Sequence, residues 1–440
     1  MRKVKKLSPL LLVLFLVSVF TSACSGDEES SPASSSSSGD DSIEIRVATW
    51  QTEETAVELF NKAKESFEAE HPNVTVKIEA APYENYMTKL QTELAAGNPA
   101  DIIQVGEQNF QRYMDKAILE DLTPLAEGTF DFDSEIIPNV KELMQVDGKN
   151  PVMSVGAATI GVYYNKKLFD EANLPYPQDG WTWEEFVELA EKLTIRDGDK
   201  FKQYGANLNL GKDWVEPFIV SNGGSYLSED GSTSVGYLNS DATVEAFQKI
   251  SDLYNVSKVA PNPAELVALK GIDLFATGQV AMNVNGSWAQ ADLQKNPDIE
   301  FGVVSLPTMS TGEKASLMYT SGMGISTKSK QKEVAWEFLL ELTSPETDAG
   351  KMWAQSNLAV TNKLLESSAQ TEDPYLSVFV EQLDHAIESG YYQNSYWGSV
   401  GDKLLAPAIQ DMLLDPKVDF KQRLTDLTTQ IDRELKQAAE

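Results

Sequence analysis

Apolar positions recur along this chain with two periods. Ile43, Ile45 and Val47 alternate with polar neighbours as far as Trp50, the period-two pattern of a half-buried strand, and Ala56, Phe60, Ala63 and Phe67 then share one helical face. His71-Pro72-Asn73 ends that helix. Val74, Val76 and Ile78 mark a second strand, and Tyr86, Leu90 and Leu94 a second helix, which Gly97-Asn98-Pro99 breaks before a strand over 101–105. Strand, helix, strand, helix, strand predicts a parallel α/β core.

The pattern changes further on. A strand over 160–165 is followed by Pro175, Pro177 and Gly180, which read as a boundary. Thr182 and Glu185 have the spacing of a capping box at the start of another helix, and helices are predicted over 242–255 and 266–276. Val280, Met282 and Val284 then alternate. Asn285-Gly286 supplies a turn signal, and Ser287 is placed to cap a helix through Leu293. Trp288 therefore sits where a strand hands over to a helix. Ligands of open α/β sheets bind beyond the carboxyl ends of strands, so this indole is a candidate ligand platform. Strands follow over 301–304 and 320–326. The remainder reads as mostly helical, with Ala335, Phe338, Leu339 and Leu342 on one face, and Phe420, Leu424, Leu427, Ile431 and Leu435 on another. There is no internal repeat.

With 440 residues, 42% of them apolar, the chain can build two domains of ordinary size. Charge narrows the partners: 67 acidic side chains face 36 basic ones, a surface that repels phosphate backbones and anionic lipid headgroups. No nucleic-acid partner is expected, and the balance favours a neutral or cationic ligand. Residues 1–23 have the form of a secretory signal: a basic start at Arg2-Lys3-Val4-Lys5-Lys6, an apolar run from Leu10 to Phe20, then Thr21-Ser22-Ala23. Cys24 is the sole cysteine, so no intramolecular disulfide can form. Its setting resembles the lipobox of bacterial lipoproteins, in which the cysteine carries the lipid, although Thr21 stands where leucine is commonest. Residues 24–42, rich in Ser, Gly, Asp and Glu, form a flexible tether.

Catalytic patterns are sparse. Two histidines, His71 and His385, leave little for a Ser-His-Asp triad or a histidine metal site, and there is no Gly-x-Ser-x-Gly, phosphate-binding loop or Cys-x-x-Cys. No metal and no cofactor are expected. A glycosidase needs two carboxylates, which this composition supplies, so an exported glycosidase acting on oligosaccharides is the alternative from another class.

Five segments in order carry a resemblance. They are Gly97-Asn98-Pro99-Ala100-Asp101-Ile102-Ile103; Ala117-Ile118-Leu119-Glu120-Asp121-Leu122-Thr123-Pro124-Leu125; Gly161-Val162-Tyr163-Tyr164-Asn165-Lys166-Lys167-Leu168-Phe169; Trp181-Thr182-Trp183-Glu184-Glu185-Phe186; and the run from Phe275 through Gly278-Gln279-Val280-Ala281-Met282-Asn283 to Trp288. Together they resemble the extracellular solute-binding proteins of bacterial ABC importers, in particular the carbohydrate-binding group that includes the maltose-binding protein. The resemblance implies an α/β, two-lobed periplasmic-binding-protein-like fold with crossing hinge strands and a ligand cleft between the lobes. It places the amino-terminal lobe over 43–168 and 319–360, and the carboxyl-terminal lobe over 169–318 and 361–440. It further implies a monomeric, lipid-anchored receptor on the extracytoplasmic face of the cell membrane, which binds a neutral sugar and hands it to an ABC permease. Within binding proteins, the alternative is another small solute such as a polyol.

Sugars present apolar C–H faces ringed by hydroxyls, so their receptors need aromatic planes and short polar groups. By the resemblance, Trp288 and Trp397 align with stacking aromatics, and Trp214 lies in an aromatic loop of the second lobe. Gly286 precedes Trp288, and Gly322, with Gly324, suits a backbone needing freedom near a hinge. In the first lobe, Trp50 ends a strand and Glu53 or Glu54 opens a helix at the cleft edge. Gln108 and Asn109 stand where the family binds hydroxyls, as neutral amides in place of the charged pair of the maltose binder, whose tryptophan in that loop is Val105 here. Tyr83 is a rim aromatic.

Overall fold

A computed structural model describes residues 42–439 apart from 199 and 269–272. The signal segment, Cys24 and the tether through Asp41 lie outside the described residues. Among those residues the strands are β1 (Ile43–Thr49), β2 (Val74–Ala80), β3 (Ile102–Gly106), β4 (Met153–Asn165), β5 (Ile195–Asp197), β6 (Lys200–Asn207), β7 (Val280–Gly286), β8 (Phe301–Val304) and β9 (Met318–Ile325). Their spatial order is β2-β1-β3-β9-β4-β7-β6-β5, with β8 beside β4.

The first lobe follows from its pattern. Helix α1 (Glu54–Glu70) buries Ala56, Phe60, Ala63 and Phe67, and α2 (Tyr83–Ala96) buries Tyr86 and Leu90. These helices return the chain so that β1 runs parallel to both β2 and β3. A helix whose apolar stripe matches a strand's apolar face has no other way to remove both from water. In the second lobe, Thr182 and Glu185 form the expected capping box: Glu185 N donates to Thr182 Oγ1 at 3.3 Å, and Thr182 N to Glu185 Oε2 at 2.8 Å. The helix Phe420–Ala439 buries Phe420, Leu424, Leu427, Ile431 and Leu435.

Strand β4 joins the lobes. Its first half pairs with β9, from Met153 opposite Met323 to Thr159 opposite Met318, and from Ile160 onward it pairs with β7 and then also with β8. The chain thus passes between lobes at Thr159–Ile160, earlier than the passage expected after Phe169. Phe169, Tyr176 and Trp181 all pack in the second core, so the Pro175 to Gly180 cluster is a loop of that lobe. The register of β4 shifts between Ser154 and Ala157, where Gly156 takes φ +127° and a side chain would strike Asn357. A second passage precedes β9. On the third, Leu358 and Thr361 still bridge Ala157 and Ile136, whereas Tyr375 and Phe379 pack their rings on Phe301 (4.6 Å) and Tyr163 (5.6 Å) of the second sheet.

Ser316 fastens these passages. Its buried hydroxyl bonds Ile160 N (3.3 Å) and Ile160 O (3.2 Å), its N–H donates to His385 O (2.9 Å), and its carbonyl accepts from Ile387 N (2.9 Å).

Two local expectations fail for one reason. Asn285-Gly286 is no turn: Asn285 and Gly286 continue β7 opposite Gly161 and Ile160. Ser287 then lies in a 3-10 turn, Ser287–Ala289, without capping the helix Gln290–Lys295. Partners on β4 satisfy the backbone groups that a turn would otherwise have satisfied locally. Of the helix expected over 266–276, the described residues comprise Pro263–Ala268 and, after 272, a turn that holds buried Leu274 and Phe275.

Replacing Ser316 with Ala removes a buried hydroxyl that serves both polar atoms of Ile160. Stability to urea is expected to fall by roughly 1–3 kcal/mol with an unchanged denaturant slope.

Candidate functional site

Trp50 follows β1 and meets Tyr83 and Tyr86 edge-on, with ring centroids 5.5 and 5.4 Å away. The buried Gln104 side chain fixes its backbone: Trp50 N donates to Gln104 Oε1 at 3.3 Å, while Gln104 Nε2 donates to Ser321 Oγ of β9 at 3.1 Å. Tyr83, at the start of α2, is 42% exposed, and its hydroxyl accepts from Gln108 Nε2 at 3.1 Å. Trp50, Tyr83 and Gln108 thus form one group. Glu53 is exposed beside it, ahead of α1, and accepts from Thr52 N at 3.1 Å.

Trp214 and Trp288 of the second lobe and Tyr319 at the start of β9 form a box of three rings. Trp288 stands perpendicular to Trp214, 6.0 Å away at 89°, and meets Tyr319 at 5.6 Å; Trp214 and Tyr319 are 6.3 Å apart. Trp214 rides on the helix Lys212–Ser221, Tyr319 on β9, and Trp288 on the turn after β7. Gly286 is required by contact: a Cβ there would lie 2.2 Å from the Trp288 ring, so the indole folds over bare backbone. Trp288 stays 46% exposed although other large rings surround it. An aromatic held in place on both sides yet open to solvent is a candidate platform for a ligand.

Charge lies beside the box. Lys212 Nζ, almost fully buried, contacts Asp213 Oδ1 (2.8 Å), Asp402 Oδ1 (2.9 Å) and the Tyr391 hydroxyl. That hydroxyl in turn donates to Asp213 at 2.8–2.9 Å. Burial alone would lower the Lys212 ammonium, but the two aspartates outweigh it and hold it above its ordinary value. Glu216 is buried in the same helix, with Gly390 N donating to its Oε1 at 3.3 Å; burial, reinforced by Asp213, pushes its carboxyl up to about 8. Glu107 follows β3, and its Oε2 accepts from Thr320 N at 3.2 Å. The turn Glu107–Asn109 packs on the short helix Gly390–Gln393, bringing the first lobe against the second. There a cavity of about 230 Å³ opens between Glu107, Phe110 and Glu142 on one side and Glu388, Tyr391 and Tyr392 on the other. None of the residues expected from the sequence lines it.

Three expectations are corrected. Trp397 is fully buried beside Tyr226 (5.7 Å), with Gly390 pressed against its indole nitrogen, so it presents no face to a ligand. Asn109 is buried and its Oδ1 accepts from the Arg112 guanidinium, which occupies the oxygen expected to bind a hydroxyl. Gly322 has an ordinary φ; it is small because β9 runs close to Val152, whose Cγ2 would lie 2.5 Å from a Cβ. Sequence reasoning passed over Glu107, Asp213, Tyr319 and Tyr391. Glu107 and Asp213 adjoin residues it did select, Gln108 and Trp214, whereas only packing reveals Tyr319 and Tyr391. Among the described residues no group of three or more His, Cys, Asp or Glu is placed to hold a metal ion, and no helix is long and apolar enough to cross a membrane.

The two tryptophans should separate in a stability measurement. Trp397→Ala empties a fully buried site and is expected to cost about 3–5 kcal/mol in chemical denaturation. Trp288→Ala, with nearly half its surface already in water, should cost less than about 2 kcal/mol.

Residues 49–349 match the model of the bacterial extracellular solute-binding protein family. Among curated relatives, a multiple sugar-binding protein of Streptococcus mutans is 26% identical over 345 residues, covering 76% of this chain and 78% of that protein. A maltotriose-binding protein of Pyrococcus abyssi is 23% identical, covering 84% and 78%. Among solved structures, an ABC substrate-binding protein of Listeria monocytogenes in complex with cycloalternan superposes with a TM-score of 0.77 at 25% identity, covering 90% of this chain and all of that one. The family match spans both sheets and carries Trp50, Trp214 and Trp288 within it, and the chain belongs to the bacterial extracellular solute-binding proteins.

Proposed function

We propose that this protein is a sugar receptor of an ABC importer, capturing a neutral sugar or oligosaccharide between its lobes. The observation that carries this reading is the box of Trp214, Trp288 and Tyr319, in which Trp288 is half-exposed, beside Asp213 and Glu107. Aromatic faces cover the C–H planes of a sugar, and carboxylate and tyrosine oxygens meet its hydroxyls. The sugars named for the relatives support the same class. Trp50, Tyr83, Gln108 and Glu53 are the first lobe's contribution. A ligand that touches both groups favours the closed arrangement over the open one, and that difference in affinity drives closure. The bound sugar then passes to the transmembrane subunits of a permease.

Cys24 carries the lipid that anchors the receptor outside the membrane, and the Ser-rich tether gives it reach. The protein acts as a monomer. The family is one of binding proteins, which supports capture without turnover.

Titration with a panel that includes maltotriose, lactose and larger oligosaccharides, followed by tryptophan fluorescence, is expected to give saturable binding with no product on chromatography. Released product would favour the glycosidase. For the sugar that binds, Trp288→Ala should weaken affinity at least about tenfold, the contribution of one good stacking contact; a change within about threefold would refute the site. Cys24→Ser should move the protein from the membrane fraction to the medium or periplasm.

A further inference from the structure

Lys212 stands where local chemistry disfavours a cation. It opens the helix Lys212–Ser221, and the positive end of a helix repels an ammonium. Its side chain is only 2% exposed, a burial that a charge bears when it is paired. Neither helix formation nor core packing calls for a lysine here, and such departures concentrate at functional sites.

The ammonium is held by Asp213 Oδ1 at 2.8 Å, by Asp402 Oδ1 at 2.9 Å and by the hydroxyl of Tyr391, whose ring centroid lies 4.4 Å away. Its stem lies against Gly401, where a Cβ would come within 2.9 Å of Lys212 Cε, and its carbonyl accepts from the Tyr226 hydroxyl at 2.6 Å. Asp213 differs from its partner. Its carboxylate is 23% exposed, and the next residue, Trp214, belongs to the aromatic box. The Tyr391 hydroxyl lies 2.9 Å from Oδ1 and 2.8 Å from Oδ2, so Lys212 and Tyr391 together fix both oxygens. A carboxylate has about four lone-pair sites, which leaves acceptor capacity on its exposed side. Glu216, one turn further along the helix, is buried, with Gly390 N on its Oε1, and offers nothing to solvent.

We propose that Asp213 is a specificity-determining acceptor for a ring hydroxyl of the sugar that covers the box, and that Lys212, too buried to touch the ligand, is the residue that positions it. This inference rests on the reading of the protein as a sugar receptor. A hydroxyl that donates to a carboxylate forms a charge-assisted bond, stronger than one to a neutral amide. An unrestrained aspartate turns about two side-chain bonds and has to be ordered on binding, whereas one held by Lys212 and Tyr391 is already oriented. The two aspartates keep the ammonium charged in spite of its burial. Stacking on the rings tolerates many arrangements of hydroxyls. An analogue without the matching hydroxyl leaves the carboxylate dehydrated and unpaired, so discrimination runs through Asp213.

Calorimetry with maltotriose, or with the tightest-binding member of the sugar panel if maltotriose does not bind, tests the role. Asp213→Asn and Lys212→Met should each weaken affinity by about tenfold or more, the contribution of one hydrogen bond to a charged group. The double variant should bind within about threefold of Asp213→Asn, because Lys212 acts through Asp213. The losses in Lys212→Met and Trp288→Ala should instead multiply, within about threefold. Independent losses at Lys212 and Asp213 overturn the proposal, and so does equal coupling of Lys212 to Trp288, which a general distortion of the box would produce.

A second measurement needs neither a ligand nor a variant at Lys212. In protein labelled with ¹⁵N-lysine, the Lys212 ammonium should give a slowly exchanging NMR signal, identified by its shift in Asp402→Asn, that moves again in Asp213→Asn and in Tyr391→Phe. No protected signal, or one that Asp213→Asn leaves unmoved, overturns the proposal. Failure of every sugar to bind, with the ammonium signal as expected, counts against the receptor reading itself.

Discussion

One strand has to serve two sheets. The thirteen residues of β4 are nearly all buried, so each of their backbone groups must find a partner in one lobe or the other. The first half takes its partners from β9 and the second from β7 and β8. The bulge at Gly156 and the hydroxyl of Ser316 lie at this changeover, where neither ladder runs on undisturbed. Any relative movement of the lobes that left both ladders paired would be confined to the few residues near Thr159–Ile160, Ser316–Met318 and the third passage.

The same geometry positions the candidate site. Strand β3 ends at Gly106, and β9 runs antiparallel beside it, so Glu107 meets Thr320 and lies near Tyr319, a member of the aromatic box. The box is rigid for reasons unrelated to any ligand. Gly286 lets the Trp288 ring lie over the backbone, and Tyr163 OH donates to Gly286 O at 2.8 Å, holding that backbone in place. Lys212 plays a comparable part for the polar groups. A buried ammonium is costly unless paired, and its pairing with Asp213, Asp402 and Tyr391 fixes the oxygens that stand between the box and Glu107. Rings and acceptors held in this way leave little to be ordered if a ligand docks on them.

Much of this was legible along the chain. The spacing of Ala56, Phe60, Ala63 and Phe67, the Thr182–Glu185 capping box and the face ending in Leu435 all reappear as the sequence implies, because helices and their caps are decided within a few residues. So was the position of Trp288 beyond a strand end. Trp397 shows the limit. The sequence around it resembles that of a stacking residue, yet its ring lies against Tyr226 and Gly390, and nothing local distinguishes an indole that faces a ligand from one that faces the core.

The sequence by itself determined the α/β alternation, which follows from periodicity, and its resemblance to a family, carried by short motifs in a fixed order, implied the two-lobed class and most of the candidate tryptophans and amides. Only the tertiary structure decided where β4 changes lobe, that Asn285-Gly286 is strand rather than turn, and that Tyr319, Asp213, Tyr391 and Glu107 gather between Trp214 and the first lobe. Those outcomes depend on partners more than a hundred residues away. Burial and hydrogen bonding across such distances outweigh the local preferences that a sequence displays.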